Sequence, residues 1–301
     1  MEGAFTAPFL LKGGMNVKKR LVKTVFVLPT ALWILAFTIY PLVYMFYLSF
    51  HRFKFGKIRG FVGFDNYQRF FTDEKVINSI LVTLTIISIA IVIEIFLGLF
   101  LAWLVDRPIR ANKFFRVIFS LPLFATPVAA AFLFITIYYE EGGPMNSLLE
   151  FFRLSPIPWL SDPFWAKVAV AIVDVWQWTP FCFIVFLAGF QSIPQELYEA
   201  AYIDTKSRWK VFRYVSFPLI LPVFTIVLIL RIMESIKIFD LPAVLTIGGP
   251  GRATEVYSFL IYRTGLKYFN IGYASTMGVI LLLVEIPLIM FVVKRFRKVI
   301  S

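Results

Sequence analysis

Six apolar stretches dominate this sequence, and each is long enough to cross a lipid bilayer. A membrane-spanning helix needs about 20 mostly apolar residues. The chain is 59% hydrophobic and only 16% charged, whereas a soluble domain carries about 25% charged residues. We therefore expect an all-α fold, a polytopic membrane helix bundle of about six spans. The stretches lie at residues 22–50, 77–105, 114–139, 168–190, 219–239 and 274–293.

The distribution of Lys and Arg predicts the orientation of these spans. Six spans place both termini on one side, together with the loops that follow the second and fourth spans. That side holds 17 of the 30 basic residues and the other side holds 11, six of them in loop 51–76. Cytoplasmic loops are enriched in Lys and Arg, so both termini are expected in the cytoplasm. The net charge of +12 then mostly reflects the basic residues that set the orientation in the membrane, and we expect no nucleic-acid partner.

The positions of the spans and of the basic segments beside them divide the chain into three parts. Residues 1–21 form a cytoplasmic N-terminal segment, of which we interpret 1–14 as a dispensable extension because Met15 opens the run MNVKKRLVKTVFVLP. Residues 22–293 form the transmembrane domain, with a cytoplasmic loop at 191–217. Residues 294–301 form a basic cytoplasmic tail. The outward loops are too short for a separate domain.

Few residues in this sequence are suited to catalysis or to binding a metal or a nucleotide. The single Cys182 excludes an internal disulfide and a cysteine-based metal cluster, and the single His51 cannot anchor a histidine metal site. No P-loop pattern GxxxxGK[ST] occurs. No nucleophile–base pair is evident. We therefore predict no catalytic residues, no metal and no cofactor bound by this chain, and we do not expect an enzyme.

The longest charge-rich run, QELYEAAYIDTKSRWKVFRYVSFPLILP at 195–222, lies between two spans. Pro194 suits the first position of a helix, and Glu196 and Glu199 suit its positive end. A second helical run follows, with aromatic and basic faces. Such a helical pair fits either an interfacial hairpin on anionic lipid or a docking site for a cytoplasmic partner.

The spacing in this run resembles the EAA motif of ABC-importer permeases. Glu199-Ala200-Ala201, then position 205, then Val215-Ser216-Phe217-Pro218 match EAA, three residues, Gly, nine residues, Ile, any residue, Leu-Pro. In that family the loop is a coupling helix seated in a cleft of the ATPase subunit. Thr205 replaces the motif's Gly, and a left-handed conformation there would cost about 1–2 kcal/mol. The implied ATPase-coupling residues are Glu199, Ala200, Ala201, Asp204 and Thr205.

The resemblance covers nearly the whole chain. The stretches FVGFDNYQRFF, SLPLFATPVAAAFLF and RIMESIKIFDLPAVLTIGGPGRATEV are similar to permeases of the maltose- and glycerol-phosphate-type carbohydrate family. The resemblance implies a multi-pass protein of a prokaryotic cytoplasmic (inner) membrane that imports sugar by alternating access. It also implies a set of partners. These are a second permease subunit in a heterodimer, two cytoplasmic ATPase subunits that bind ATP-Mg, an extracytoplasmic solute-binding protein and membrane lipid.

Charged residues inside spans are functional candidates by default. Arg231, Glu234, Lys237 and Asp240 alternate in sign at every third position, which predicts either a self-neutralising stripe on one helix or a polar path. Glu94 and Glu285 are single acids, either structural or lining the path. The polar and aromatic residues of span four, Asp174, Trp176, Gln177 and Trp178, suit an interface anchor or a sugar surface. The substrate-path candidates are Ser235, Lys237, Asp240, Glu234 and Trp176.

Two other transport functions remain open at this point. A secondary transporter could be driven by protons through Glu94, Asp174 or Glu285. An ABC permease could instead carry a non-sugar solute such as a polyamine or phosphate.

Overall fold

The protein is mainly helical in the computed structural model, which describes residues 25–106 and 112–300. The predicted N-terminal segment 1–21 and most of the short loop after the second span lie outside the described residues. Five helices are long and apolar enough to span a membrane, and there are six spans if a bent pair of shorter helices is counted as one. The prediction of about six spans is confirmed.

The elements are numbered here in chain order. The helices of the first half are α1 (Val25–Ser49), α2 (Asp65–Thr72), α3 (Glu74–Val105), α4 (Asn112–Ser120), α5 (Pro127–Ile137) and α6 (Pro144–Phe151). Those of the second half are α7 (Pro163–Gln191), α8 (Gln195–Asp204), α9 (Arg208–Ser235), α10 (Asp240–Leu245), α11 (Tyr257–Tyr262) and α12 (Ile271–Ile300). Two short strands, β1 (His51–Lys54) and β2 (Lys57–Phe61), form an antiparallel hairpin.

The third span is not the continuous helix that the sequence predicts for 114–139. A 3₁₀ turn at Leu121–Phe124 follows α4, and α5 then leaves at 98°. Pro127 begins α5, and the Thr126 hydroxyl caps it by accepting a hydrogen bond from the Ala129 amide at 3.3 Å. Proline lacks the amide that a continuous helix would need. The expected single span is therefore a broken one.

The buried core lies where α3 crosses α7. Gly98 of α3 lets the two backbones approach closely, because a Cβ there would lie 2.5 Å from the Cys182 Cβ. Small residues at such crossings are typical of membrane bundles. By contrast, α1 buries almost none of its apolar surface within this chain. It contacts α12, and the rest of its surface is left for lipid or another subunit.

With the bent helix pair counted as one span, the order of the crossings puts the β1–β2 hairpin and α8 on opposite sides of the bundle. The hairpin is anchored to the start of α12, since the Phe55 amide donates to the Phe269 carbonyl at 3.0 Å. Gly272 of α12 touches β1 so closely that a Cβ there would meet the His51 carbonyl oxygen. The hairpin is thus held by backbone contacts.

Candidate functional site

A polar cavity of about 250 Å³ opens in the half of the bundle away from α8. It is bounded by the start of α5, by α7, by the end of α9 and by α10, so the break in the third span forms one wall. Broken helices are tolerated at membrane depth where they line such cavities. The lining residues are Pro127, Asp174, Gln177, Trp178, Arg231, Glu234, Ser235, Lys237, Ile238, Phe239, Asp240 and Leu241.

A buried ion cluster forms the inner wall of this cavity. Arg231 of α9 is 1% exposed and donates to both carboxylate oxygens of Glu94 on α3, from Nε at 2.6 Å and from Nη2 at 2.9 Å. Its Nη2 also donates to Asp174 Oδ2 of α7 at 3.2 Å. The guanidinium lies 4.6 Å from the ring centre of Trp178. One cation therefore ties three membrane helices together beside the cavity.

Two buried polar groups at the cavity have no hydrogen-bond partner among the described residues. They are the Ser235 hydroxyl and the Gln177 carbonyl oxygen Oε1, on side chains that are 3% and 4% exposed. The Gln177 amide donates to the Ala125 carbonyl at 3.0 Å, at the break before α5. A buried polar group without a partner costs about 1–3 kcal/mol. Both residues line the cavity, but these two atoms are buried beneath its surface, so a solute could reach them only after the side chains move.

The structure brings four of the five substrate-path candidates to this cavity, namely Glu234, Ser235, Lys237 and Asp240. Trp176 does not line it. The Trp176 ring packs 5.4 Å from that of Phe134 in the protein interior. Positions 176 and 178 differ by about 200° around a helix, so Trp178 occupies the cavity wall instead.

The predicted salt-bridge stripe along the fifth span is absent from the described residues. Helix α9 ends at Ser235. Lys237 and Asp240 lie beyond this end, so their three-residue spacing does not place them on one helix face with Glu234. Lys237 still contacts Glu234, with Nζ 3.6 Å from Oε1. Arg231, however, pairs across the bundle rather than with Glu234.

Sequence reasoning missed the pairing of Glu94 and Asp174 with Arg231, and among the residues of span four it chose Trp176 for the substrate path rather than Gln177 or Trp178. A signal was present, because isolated charges of both signs in apolar spans are expected to pair. The expectation that Glu94 is an interhelical structural acid agrees with the contacts. Glu285 differs, since its Oε1 is buried without a hydrogen-bond partner in the described chain.

The candidate coupling residues lie at the opposite end of the molecule, on α8 and, for Thr205, in the turn that follows it. This helix has no buried residue, and Glu199 accepts a hydrogen bond from Gln195 Nε2 at 3.0 Å. Ile203 is 86% exposed, and Leu197 and Tyr202 of the same helix are also exposed, so α8 carries apolar surface of the kind that contacts partners. The Tyr198 hydroxyl lies 3.3 Å from Ser216 Oγ and links α8 to the first part of α9. The result is a short projecting helix with an open surface.

The turn after α8 accommodates Thr205 without strain. Thr205 has φ −153° and ψ 136°, which is extended backbone that β-branched residues prefer. Its hydroxyl accepts a hydrogen bond from the Ser207 amide at 3.2 Å, and the Ser207 hydroxyl accepts one from the Lys210 amide at 3.4 Å. The left-handed conformation that would favour glycine is therefore not used here.

Curated relatives of this chain are transport permeases. The trehalose/maltose transport system permease protein MalF of Thermococcus litoralis is 34% identical over 274 residues, which are 90% of this chain and 93% of the relative. The sulfoquinovosyl glycerol transport system permease protein SmoG of Agrobacterium fabrum is 30% identical, covering 89% and 87%. The lactose transport system permease protein LacF of Rhizobium radiobacter is also 30% identical, covering 91% and 94%.

A solved structure has the same fold. It is a chain of a bacterial ABC transporter involved in the import of the acidic polysaccharide alginate, with a TM-score of 0.84 and 24% identity, covering 96% of this chain and all of that one. The family model for the binding-protein-dependent transport system inner membrane component matches residues 94–300. This chain therefore belongs to that family, the membrane-spanning permease components of ABC importers.

Proposed function

We propose that this chain forms one half of the path through which an ATP-driven importer carries a sugar across the inner membrane. The observation that supports it most is the cavity that brings Glu234, Ser235, Lys237 and Asp240 together. Sugars offer many hydroxyl groups that both donate and accept hydrogen bonds. Trp178 adds an aromatic face on the same wall. The relatives named for trehalose, maltose and lactose transport support the same substrate class.

The charges around the cavity favour an uncharged solute over an anion. Arg231 is held by Glu94 and Asp174, and Lys237 lies beside Glu234. Asp240 adds a further acid to the lining, so no positive charge is in excess. A phosphate or a uronic acid would need such an excess, whereas a neutral sugar needs only hydrogen bonds.

The energy for import comes from partner subunits in this proposal. Helix α8 offers Glu199, Ala200, Ala201, Asp204 and Thr205 to an ATPase subunit that binds ATP-Mg. A second permease covers the exposed face of this chain, and a solute-binding protein delivers the sugar on the side away from α8. Both termini then lie in the cytoplasm with α8.

The cavity assignment is tested by Ser235→Ala and Lys237→Ala in the assembled importer. Both variants should raise the sugar concentration for half-maximal uptake, by about tenfold for one lost hydrogen bond to a bound polar ligand. ATPase subunits should co-purify with both variants as they do with the unaltered protein, because α8 lies at the other end of the molecule.

The matched controls are Ser155→Ala and Lys267→Ala, which remove the same groups from exposed positions outside the cavity. Their uptake curves should coincide with that of the unaltered importer. Unchanged half-saturation in both cavity variants would exclude Ser235 and Lys237 from the sugar path while leaving the family assignment intact.

A further inference from the structure

A second hollow, of about 380 Å³, lies beside the β1–β2 hairpin on the side of the bundle away from α8. Four of its lining residues are cations and one is an acid, Asp65. The neutral part of the wall comes from Val62, Asn66 and Asn270. The cations come from both strands of the hairpin and from α2, and they are Arg52, Lys54, Arg59 and Arg69.

Most of this positive charge is not neutralised within the chain. Arg69 has an acidic partner, Asp73, at 3.6 Å from Nε to Oδ2. Arg52, Lys54 and Arg59 are exposed and form no ion pair with any described residue. Three clustered like charges repel one another, so the hollow has a strong preference for an anion.

The position of the hollow relative to α1 suits the depth of lipid phosphates. Exposed tyrosines Tyr40, Tyr44 and Tyr47 stack along the last turns of α1, with ring centres 6.0 and 6.3 Å apart. Such exposed tyrosines mark the membrane interface. Arg52 follows the end of α1 at Ser49 by three residues, at most about 10 Å of extended chain. The headgroup layer on each side of the hydrocarbon is about 5–8 Å thick.

The hairpin is built to stay in this layer. An aromatic series continues from the end of α1 to the hairpin, since the Tyr47 and His51 rings lie 4.1 Å apart and the His51 and Phe61 rings 5.3 Å apart. Phe61 is 72% exposed. Cations beside exposed aromatic rings, directly after a span, are typical of segments that contact headgroups.

We propose that this hollow is a binding site for the phosphate headgroup of an anionic phospholipid in the leaflet away from α8. Arg52 and Arg59 supply planar, multi-donor groups that suit phosphate oxygens, and Lys54 adds a further charge. The site also explains why an outward loop carries six basic residues, although basic residues are normally enriched in cytoplasmic loops. The inference holds whichever solute the importer carries.

The test compares lipid binding to the purified importer complex in a neutral detergent at 0.15 M salt, where long-range attraction between exposed charges is largely screened beyond about 8 Å. Native mass spectrometry gives the half-saturating concentration of phosphatidylglycerol, with phosphatidylcholine as the uncharged comparison. Arg52→Gln/Arg59→Gln should weaken phosphatidylglycerol binding about 25-fold, since each cation contributes about fivefold near an anionic surface. Phosphatidylcholine binding should not change.

Two further variants make the result specific. Arg153→Gln/Lys267→Gln removes the same charge from outer positions away from the hollow and should change phosphatidylglycerol binding less than twofold. Arg52→Lys/Arg59→Lys keeps the charge and should retain most of the binding, which covers the case in which the Gln variant does not assemble.

Equal phosphatidylglycerol binding by the Gln variant, the Lys variant and the unaltered complex would overturn the proposal. A second result would also overturn it. If the Gln variant bound lipid normally but needed a higher concentration of the solute-binding protein for half-maximal ATPase stimulation, the hollow would be a protein docking surface.

Discussion

At the scale of single residues, Arg231 is the most constrained side chain of the described bundle. A buried charge is tolerated only when it is paired and hydrogen-bonded, and Arg231 meets this condition through Glu94 and Asp174. The same guanidinium faces Trp178 at the cavity. The pairing therefore links the packing of three spans to the shape of the proposed sugar path.

Glu94→Gln is expected to destabilise the protein strongly. It removes the carboxylate that Arg231 contacts at 2.6 and 2.9 Å, and losing one member of a buried pair costs about 3–5 kcal/mol. The melting temperature of the detergent-solubilised complex should fall by several degrees. Glu285→Gln is the matched control, because Glu285 has no ion pair among the described residues. Equal melting temperatures for the two variants would contradict the assigned role of Glu94.

At the scale of elements, the coupling loop combines a short exposed helix with an extended turn. Thr205 lies at the end of α8 in ordinary extended geometry. Thr205→Gly loses the hydrogen bond from the Ser207 amide and adds backbone freedom, which costs about 1 kcal/mol. The ATPase subunit should still co-purify with this variant, because Ala200, Ala201 and Ile203 keep their exposed surface. Loss of co-purification would contradict the assignment of α8 as the docking helix.

The loop between α5 and α7 is organised by one carboxylate. Glu140 accepts hydrogen bonds at 2.9 Å from the Leu160 amide, the Ser161 amide and the Ser161 hydroxyl. Burial acts to raise the pKa of Glu140, but these hydrogen bonds outweigh it and hold the pKa below its ordinary value of 4.5. An acid with a lowered pKa stabilises the fold above its unfolded pKa, and this contribution is lost as the pH falls through the folded value.

Hydrogen exchange of the Leu160 and Ser161 amides measures this contribution. At pH 7, Glu140→Gln should lower their protection by about fivefold, a modest value because the site is exposed. The difference between variant and unaltered protein should shrink as the pH falls below 4.5. A difference that is the same at pH 3 and pH 7 would show that the charge of Glu140 does not hold the loop.

The number of spans follows from sequence because apolar length is a local property, whereas the break in the third span does not. Proline alone does not predict that break. Pro180, Pro222 and Pro287 lie inside continuous helices, since neighbouring groups in a bundle can compensate for the lost hydrogen bond. At the break before Pro127, the Gln177 amide donates to the Ala125 carbonyl, a contact across 52 residues of sequence that a local pattern does not predict.

The candidate site, like the fold, could be predicted from the sequence only in its local features. Local pattern and family resemblance predicted a short helix where α8 lies and named Ser235, which lines the cavity. The partner of Arg231 could not be chosen from the sequence, since Glu94, Asp174, Glu234 and Glu285 all lie within or near spans. Which of them it meets depends on how α3, α7 and α9 cross.

At the scale of the whole molecule, the cavity and α8 lie at opposite ends of α9. A helix that begins beside the coupling loop and ends at the cavity can transmit a movement of one to the other. Alternating access driven by partner ATPases therefore requires both ends to be intact. A transporter driven by protons would need only the intramembrane acids.

Sugar uptake into proteoliposomes that hold the assembled importer tests this account most directly, with a radiolabelled sugar chosen because it stimulates the ATPase activity of the complex. With ATP supplied to the ATPase subunits and the solute-binding protein on the other side, we expect uptake that a proton uncoupler leaves unchanged. Omitting ATP or the ATPase subunits should abolish it. Uptake that collapses with the uncoupler and persists without the ATPase subunits would contradict the account.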